Sequence, residues 1–271
     1  MEEPKIRKPA VAGQFYPSSA QGLKGQIEAF IDKKANKTDA IACMLPHAGY
    51  IYSGGVAAQT LSRVNVKDKI ILLGPNHTGF GPAFSIMTEG VWQTPLGEIE
   101  IDSNLAKKIL QNSKYLEEDA SAHAYEHSLE VELPFLQYFK TDFKIVPIIL
   151  LSDEIKALKQ IWEEIASVLK DSKGSSMIVA SSDMTHYEPQ ATAQNKDKEA
   201  IGAILELNED KLIEKIRRLN ISMCGYAPVI VMLKAAKILG AKGASLIKYQ
   251  TSGDVTGDRS SVVGYAGIIV Q

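Results

Sequence analysis

The chain has 271 residues, of which 45% are hydrophobic and 23% charged, ordinary values that provide material for a sizeable core. Its formal net charge is -2 with Lys and Arg scattered, so no global field favours nucleic acid or an anionic membrane. No apolar run approaches the ~20 residues of a membrane span, the opening Met1-Glu2-Glu3-Pro4 lacks a signal peptide's apolar stretch, and the only two cysteines, Cys43 and Cys224, exclude a disulfide-built fold; the compartment expected is the cytoplasm.

The first helix is predicted over 23–33, where Leu23, Ile27, Phe30 and Ile31 share one face. An apolar strand follows at 40–45 and stops at Pro46-His47-Ala48-Gly49-Tyr50. A helix of small residues is expected from about 54 to 61. A buried strand at 69–73 stops at Gly74-Pro75-Asn76-His77. The middle reads as a strand at 83–87, a helix at 103–111 and a further helical segment at 129–138, despite Pro134. A strong strand follows at 144–151, where Pro147 argues for a bulge or a sheet edge. Next come an amphipathic helix at 155–169 and a strand at 177–181 that stops at Ser182-Asp183-Met184-Thr185-His186. Helices are expected near 197–207 and 210–219, and from Cys224-Gly225-Tyr226 to Leu239. Two strands, 245–251 and 262–270, joined by a Gly/Asp-rich loop, end the chain. No linker or repeat divides it. The expected fold is α/β: one domain over 1–271, a mixed sheet flanked by helices on both faces.

There are five histidines. His47, His77 and His186 each follow a predicted strand within a few residues, where ligands of open α/β sheets bind. They could meet in one crevice, and neutral imidazole is the commonest metal ligand. Taken singly, each would as readily cap or pack a loop. Cys224 precedes a predicted helix whose N-terminus would favour a thiolate. A thiolate with two imidazoles suits zinc, copper or iron better than magnesium or calcium. A small buried residue in a tight Cys-Gly turn is the plainer reading. Asp183, three residues before His186, could orient that ring for acid–base work or cap the turn. His123 and His127 would share a face if helical, but their order is not that of a metalloprotease helix.

Several segments together resemble the Memo family, which is related in fold to the extradiol ring-cleaving dioxygenases of the LigB type. They are Pro9-Ala10-Val11-Ala12-Gly13-Gln14-Phe15-Tyr16-Pro17, Pro46-His47-Ala48-Gly49-Tyr50, Gly74-Pro75-Asn76-His77, Thr94-Pro95-Leu96-Gly97, Glu126-His127-Ser128-Leu129-Glu130, Ser181-Ser182-Asp183 with His186, and Cys224-Gly225. The resemblance implies a metal triad of His47, His77 and Cys224, with Asp183 and His186 in the same pocket. Iron or copper is the metal expected, with zinc as the alternative. Cys224 falls where the dioxygenases place a carboxylate, which weighs against ring cleavage, because a thiolate donates more charge and is oxidisable. The resemblance further implies a link to a radical-SAM protein and an AMMECR-type domain.

Three functions follow as expectations. The first is an iron- or copper-dependent oxidoreductase with His186 and Asp183 as its catalytic groups. The second is an adaptor that holds a peptide or small molecule in the cleft, with Phe15, Tyr16 and His127 as binding residues. The third, a hydrolase using Ser181 or Ser182, lacks a nucleophile elbow and draws its groups from one loop.

Overall fold

The computed structural model describes residues 5–170 and 175–271; the Met1-Glu2-Glu3-Pro4 segment read above for a leader lies outside them. In chain order the elements are β1 (Ile6–Arg7), α1 (Ala20–Phe30), β2 (Ala42–Leu45), α2 (Tyr50–Leu61), β3 (Lys69–Pro75), β4 (Phe84–Ile86), β5 (Val91–Thr94) and β6 (Gly97–Glu100). They continue as α3 (Ser103–Asn112), β7 (Glu117–Glu118), α4 (Ser121–Ala124), a 3-10 turn (Glu130–Glu132), α5 (Leu133–Phe139), β8 (Lys144–Leu150) and α6 (Ile155–Lys170). The last are β9 (Ser176–Ser181), β10 (His186–Glu188), α7 (Gln190–Leu205), α8 (Glu209–Leu219), α9 (Tyr226–Ile238), β11 (Ala244–Thr251), α10 (Gly253–Thr256) and β12 (Val262–Val270).

The main sheet has the order β10-β12-β2-β9-β3-β8-β4-β7, with β11 paired to β12. Its centre, β2-β9-β3-β8, is parallel, and antiparallel pairing on either side makes the sheet mixed. The central strands are buried on both faces, which is why they read as unbroken apolar runs rather than as an alternation. On one face α9 packs on β2, β3 and β9, with α6 against α9, while on the other α2, with α1 and α5 behind it, packs on β2, β11 and β12. A small sheet, β1-β5-β6, lies apart from the main one, and one contiguous apolar core joins them.

Pro147 sits in an interior strand without a register shift toward β3, so neither a bulge nor an edge is what accommodates it. Its carbonyl accepts from the Met87 N–H on the β4 side. The N–H that proline lacks would lie on that same side, opposite Met87, so the missing donor falls where β4 ends and the pairing with β3 is untouched. The helix expected from residue 54 starts at Tyr50. Gly54 and Gly55 are interior to it because Phe30 packs against that face, where a β-carbon on Gly54 would stand 2.8 Å from Phe30 Cε2. Pro134 occupies the first turn of α5, where its missing donor costs nothing. His123 and His127 do not share a helix face: α4 ends at Ala124, and His123 is buried edge-on against Trp92.

Candidate metal centre

The parallel strands end on one side of the sheet, and the chain turns there into the residues of interest. β2 leads to His47, β3 to His77 and β9 to Asp183, while Cys224 sits immediately before α9. One side-chain atom from each of His47, His77 and Cys224 falls within 4.8 Å of the others. His47 Nε2 is 3.3 Å from Cys224 Sγ. The rings of His47, His77 and His127 pack pairwise, with centroids 5.1, 5.4 and 4.6 Å apart.

Glycine makes this approach feasible. Gly225 packs directly on the carbonyl of Ser181 and on Ser182, where a β-carbon would overlap both, and its N–H donates to Ser182 Oγ at 3.0 Å. That contact brings Cys224 to the strand ends. On the opposite wall, the Tyr50 N–H at the start of α2 donates to the Phe15 carbonyl at 2.8 Å, which seats Phe15 over the cleft.

The far nitrogens of both candidate histidine ligands are occupied. His77 Nδ1 lies 2.9 Å from Glu126 Oε1. Glu126 also accepts the His77 and Ser128 N–H groups and lies 3.3 Å from His127 Nδ1. Burial alone would raise its pKa, but the hydrogen bond and the neighbouring histidines pull it down to about 2, so it is a carboxylate. An acceptor-only partner makes Nδ1 of His77 the protonated nitrogen and leaves Nε2 bare. His47 Nδ1 meets Ser181 Oγ at 2.7 Å, so its Nε2 is likewise the atom facing Cys224. Burial and the nearby histidines hold the His47 pKa well below its ordinary value, which keeps the ring neutral. Two bare imidazole nitrogens beside a thiol form a donor set that fits a borderline or soft transition metal.

Asp183 is not His186's partner. It accepts the backbone N–H of His47 at 2.9 Å, and burial pushes its pKa up to about 7. His186 Nδ1 lies 2.8 Å from the Ser222 carbonyl, and the His186 N–H donates to Ser222 Oγ. The chain between the two residues is not helical, so a three-residue separation does not bring their side chains together. Burial, with Asp183 beside it, raises the Cys224 thiol's pKa above its ordinary value.

Phe15 and His127 line the cleft and meet edge-on at 4.9 Å. Tyr16 does not line it. It is 2% exposed, and its hydroxyl donates to Glu130 at 2.5 Å, because the turn through Gly13–Phe15, closed by the Gly13 N–H on the Tyr16 carbonyl, sends Tyr16 into the core. Ser181 and Ser182 are both fully buried and hydrogen-bonded within the protein, which leaves no accessible hydroxyl for a hydrolase. Glu126 and Ser222 were missed as orienting groups. Glu126 lay beside His127 in the sequence, yet its link to His77 spans 49 residues and appears only in the fold. The cleft is about 640 Å³, and Ile51, Tyr52, Tyr187 and Tyr265 complete its walls.

The profile of the Memo-like protein family matches residues 7–269. A MEMO1 family protein of Methanopyrus kandleri is 42% identical over 98% of this chain and 99% of its own length. One of Aquifex aeolicus is 44% identical over 98% and 99%. Among solved structures, the uncharacterized protein JW3007 of Escherichia coli K12 shares the fold, with a TM-score of 0.59 and 14% identity over 85% of this chain and 99% of that one.

Proposed function

The chain belongs to the Memo-like family, and we propose that it is a metal-dependent oxidoreductase whose iron or copper is held by His47, His77 and Cys224. The observation that carries this reading is the convergence of those three side chains within 4.8 Å, both imidazoles having their other nitrogen tied back. Thiolate ligation favours iron, copper or zinc over magnesium or calcium. Bound there, iron or copper would supply one-electron chemistry and Lewis acidity.

The remaining residues act on the substrate. The Ser222 carbonyl can only accept, so His186 carries its proton on Nδ1 and leaves Nε2 free to take one from a cleft ligand. His127 Nδ1 lies 3.3 Å from the Glu126 carboxylate. Phe15, Ile51 and Tyr52 provide apolar walls for a small organic substrate. Metal content of protein purified without oxygen, compared with His47→Ala and Cys224→Ser, tests the reading. Near-stoichiometric iron or copper that both substitutions abolish is expected, and equal traces in all three proteins would refute it.

A second reading, a peptide-binding cleft without chemistry, is favoured by the exposed aromatic and aliphatic rim, Tyr187 being 77% and Ile51 59% exposed. Metal-free protein that binds a partner through this rim, and loses it with Tyr187→Ala, would favour it. Among the described residues no helix is long and apolar enough to cross a membrane.

A further inference from the structure

Behind His47 lies a buried polar cluster that the proposed chemistry does not use. Ser181 Oγ meets three groups: the Ser128 carbonyl at 2.7 Å, Glu132 Oε1 at 2.9 Å and His47 Nδ1 at 2.7 Å. A hydroxyl has one proton to give and two lone pairs to receive with. The Ser128 carbonyl can only accept, so the Ser181 proton goes there. The other two groups must then both donate. We infer that Glu132 is a neutral carboxylic acid, and that Glu132 and Ser181 are positioning residues that lock His47 in the tautomer presenting a bare Nε2 to Cys224.

The surroundings of Glu132 agree. It is fully buried, and its second oxygen, Oε2, has no hydrogen-bond partner among the described residues. A carboxylate there would leave a charged oxygen unpaired in a dry core, which costs far more than leaving a neutral carbonyl oxygen unpaired. Among the described residues no cation is a hydrogen-bond or ion-pair partner of Glu132, and burial, with the acidic Asp183 acting in the same direction, raises its pKa. Glu126, six residues earlier, is the opposite case. It receives N–H groups from His77 and Ser128 and is ionised. Two buried glutamates thus hold the two candidate histidine ligands by opposite means, one accepting from His77 directly and one donating to the serine that accepts from His47.

The proton assignment stands on the metal-free protein; its consequence for metal rests on the function proposed above. Infrared spectra of metal-free protein carrying ¹³C-labelled glutamate, which sets glutamates apart from Asp183, should show an isotope-shifted acid carbonyl band near neutral pH. That band should vanish in Glu132→Gln. The ¹⁵N spectrum should show His47 protonated at Nδ1. A glutamate spectrum with carboxylates alone, or a proton on Nε2 of His47, overturns the inference. Titration with zinc(II) reads the positioning role. Glu132→Gln, whose amide N–H can replace the acid O–H, should match wild type, whereas Ser181→Ala should bind about 10- to 100-fold more weakly. Undiminished zinc affinity in Ser181→Ala would end the positioning claim. Wild-type protein that takes no zinc would count against the proposed function, while the two spectra decide the proton assignment independently.

Discussion

His77 and Glu126 are tied twice over: Glu126 accepts both the backbone N–H and the ring Nδ1 of His77, the latter at 2.9 Å. The pair fixes the loop after β3 and the direction of the ring together. Glu126→Gln keeps the shape but presents an amide where a carboxylate accepted N–H groups. Metal affinity is expected to fall by about 10- to 100-fold with little change in thermal stability, read by competition with a chromophoric chelator. Unaltered affinity would mean that Glu126 is a structural acceptor only.

Metal affinity should rise with pH near neutrality. Burial, with Asp183 beside it, keeps the Cys224 thiol protonated well above neutral pH, while His47 is already neutral. Loading therefore expels the thiol proton, and a binding step that releases one proton gains about tenfold in apparent affinity per pH unit. Cys224→Asp should flatten this slope. Proton release measured in unbuffered titrations checks it, and a wild-type slope equal to that of the aspartate variant would contradict it.

Arg7 secures the floor of the site. Its guanidinium donates to the His123 and Glu126 carbonyls at 3.0 and 2.7 Å and pairs with buried Glu130. Glu130 in turn accepts the Ala10 and Val11 N–H groups, which position the segment carrying Phe15. Arg7→Met leaves a buried carboxylate without its cation, and a loss of about 3–5 kcal/mol in unfolding free energy is expected. Chemical denaturation measures it, and a loss within error of zero would show the pair to be dispensable.

Gly225→Ala should remove the site more than the fold. A β-carbon there meets the Ser181 carbonyl and Ser182, so the chain must shift away from β9 and take Cys224 with it. Loss of metal binding with the secondary structure retained, seen by circular dichroism beside metal titration, is the expected result. Full metal occupancy would show that the contact can relax.

The sheet centre was legible because β3, β8 and β9 are buried on both faces and leave continuous apolar runs. The short β5 and β6 left no such run. They pair in a small sheet whose other partner, β1, lies 85 residues away at the Ile6–Val91 pairing. The start of α7 at Gln190 was also hidden, since its first turns are mostly polar and carry no apolar stripe. His47 and His77 could be found because strand ends collect on one side of such a fold, whereas Cys224 as their third partner came from the family resemblance. Glu126, Ser222 and the Ser181–Glu132 pair could not, because their work lies in hydrogen bonds across 36 to 134 residues of chain.

X-ray absorption at the metal edge of protein purified without oxygen tests the central claim most directly. One sulfur and two imidazole scatterers around iron or copper are predicted, with the sulfur lost in Cys224→Ser. A shell of nitrogen and oxygen alone, unchanged by that substitution, would contradict the account.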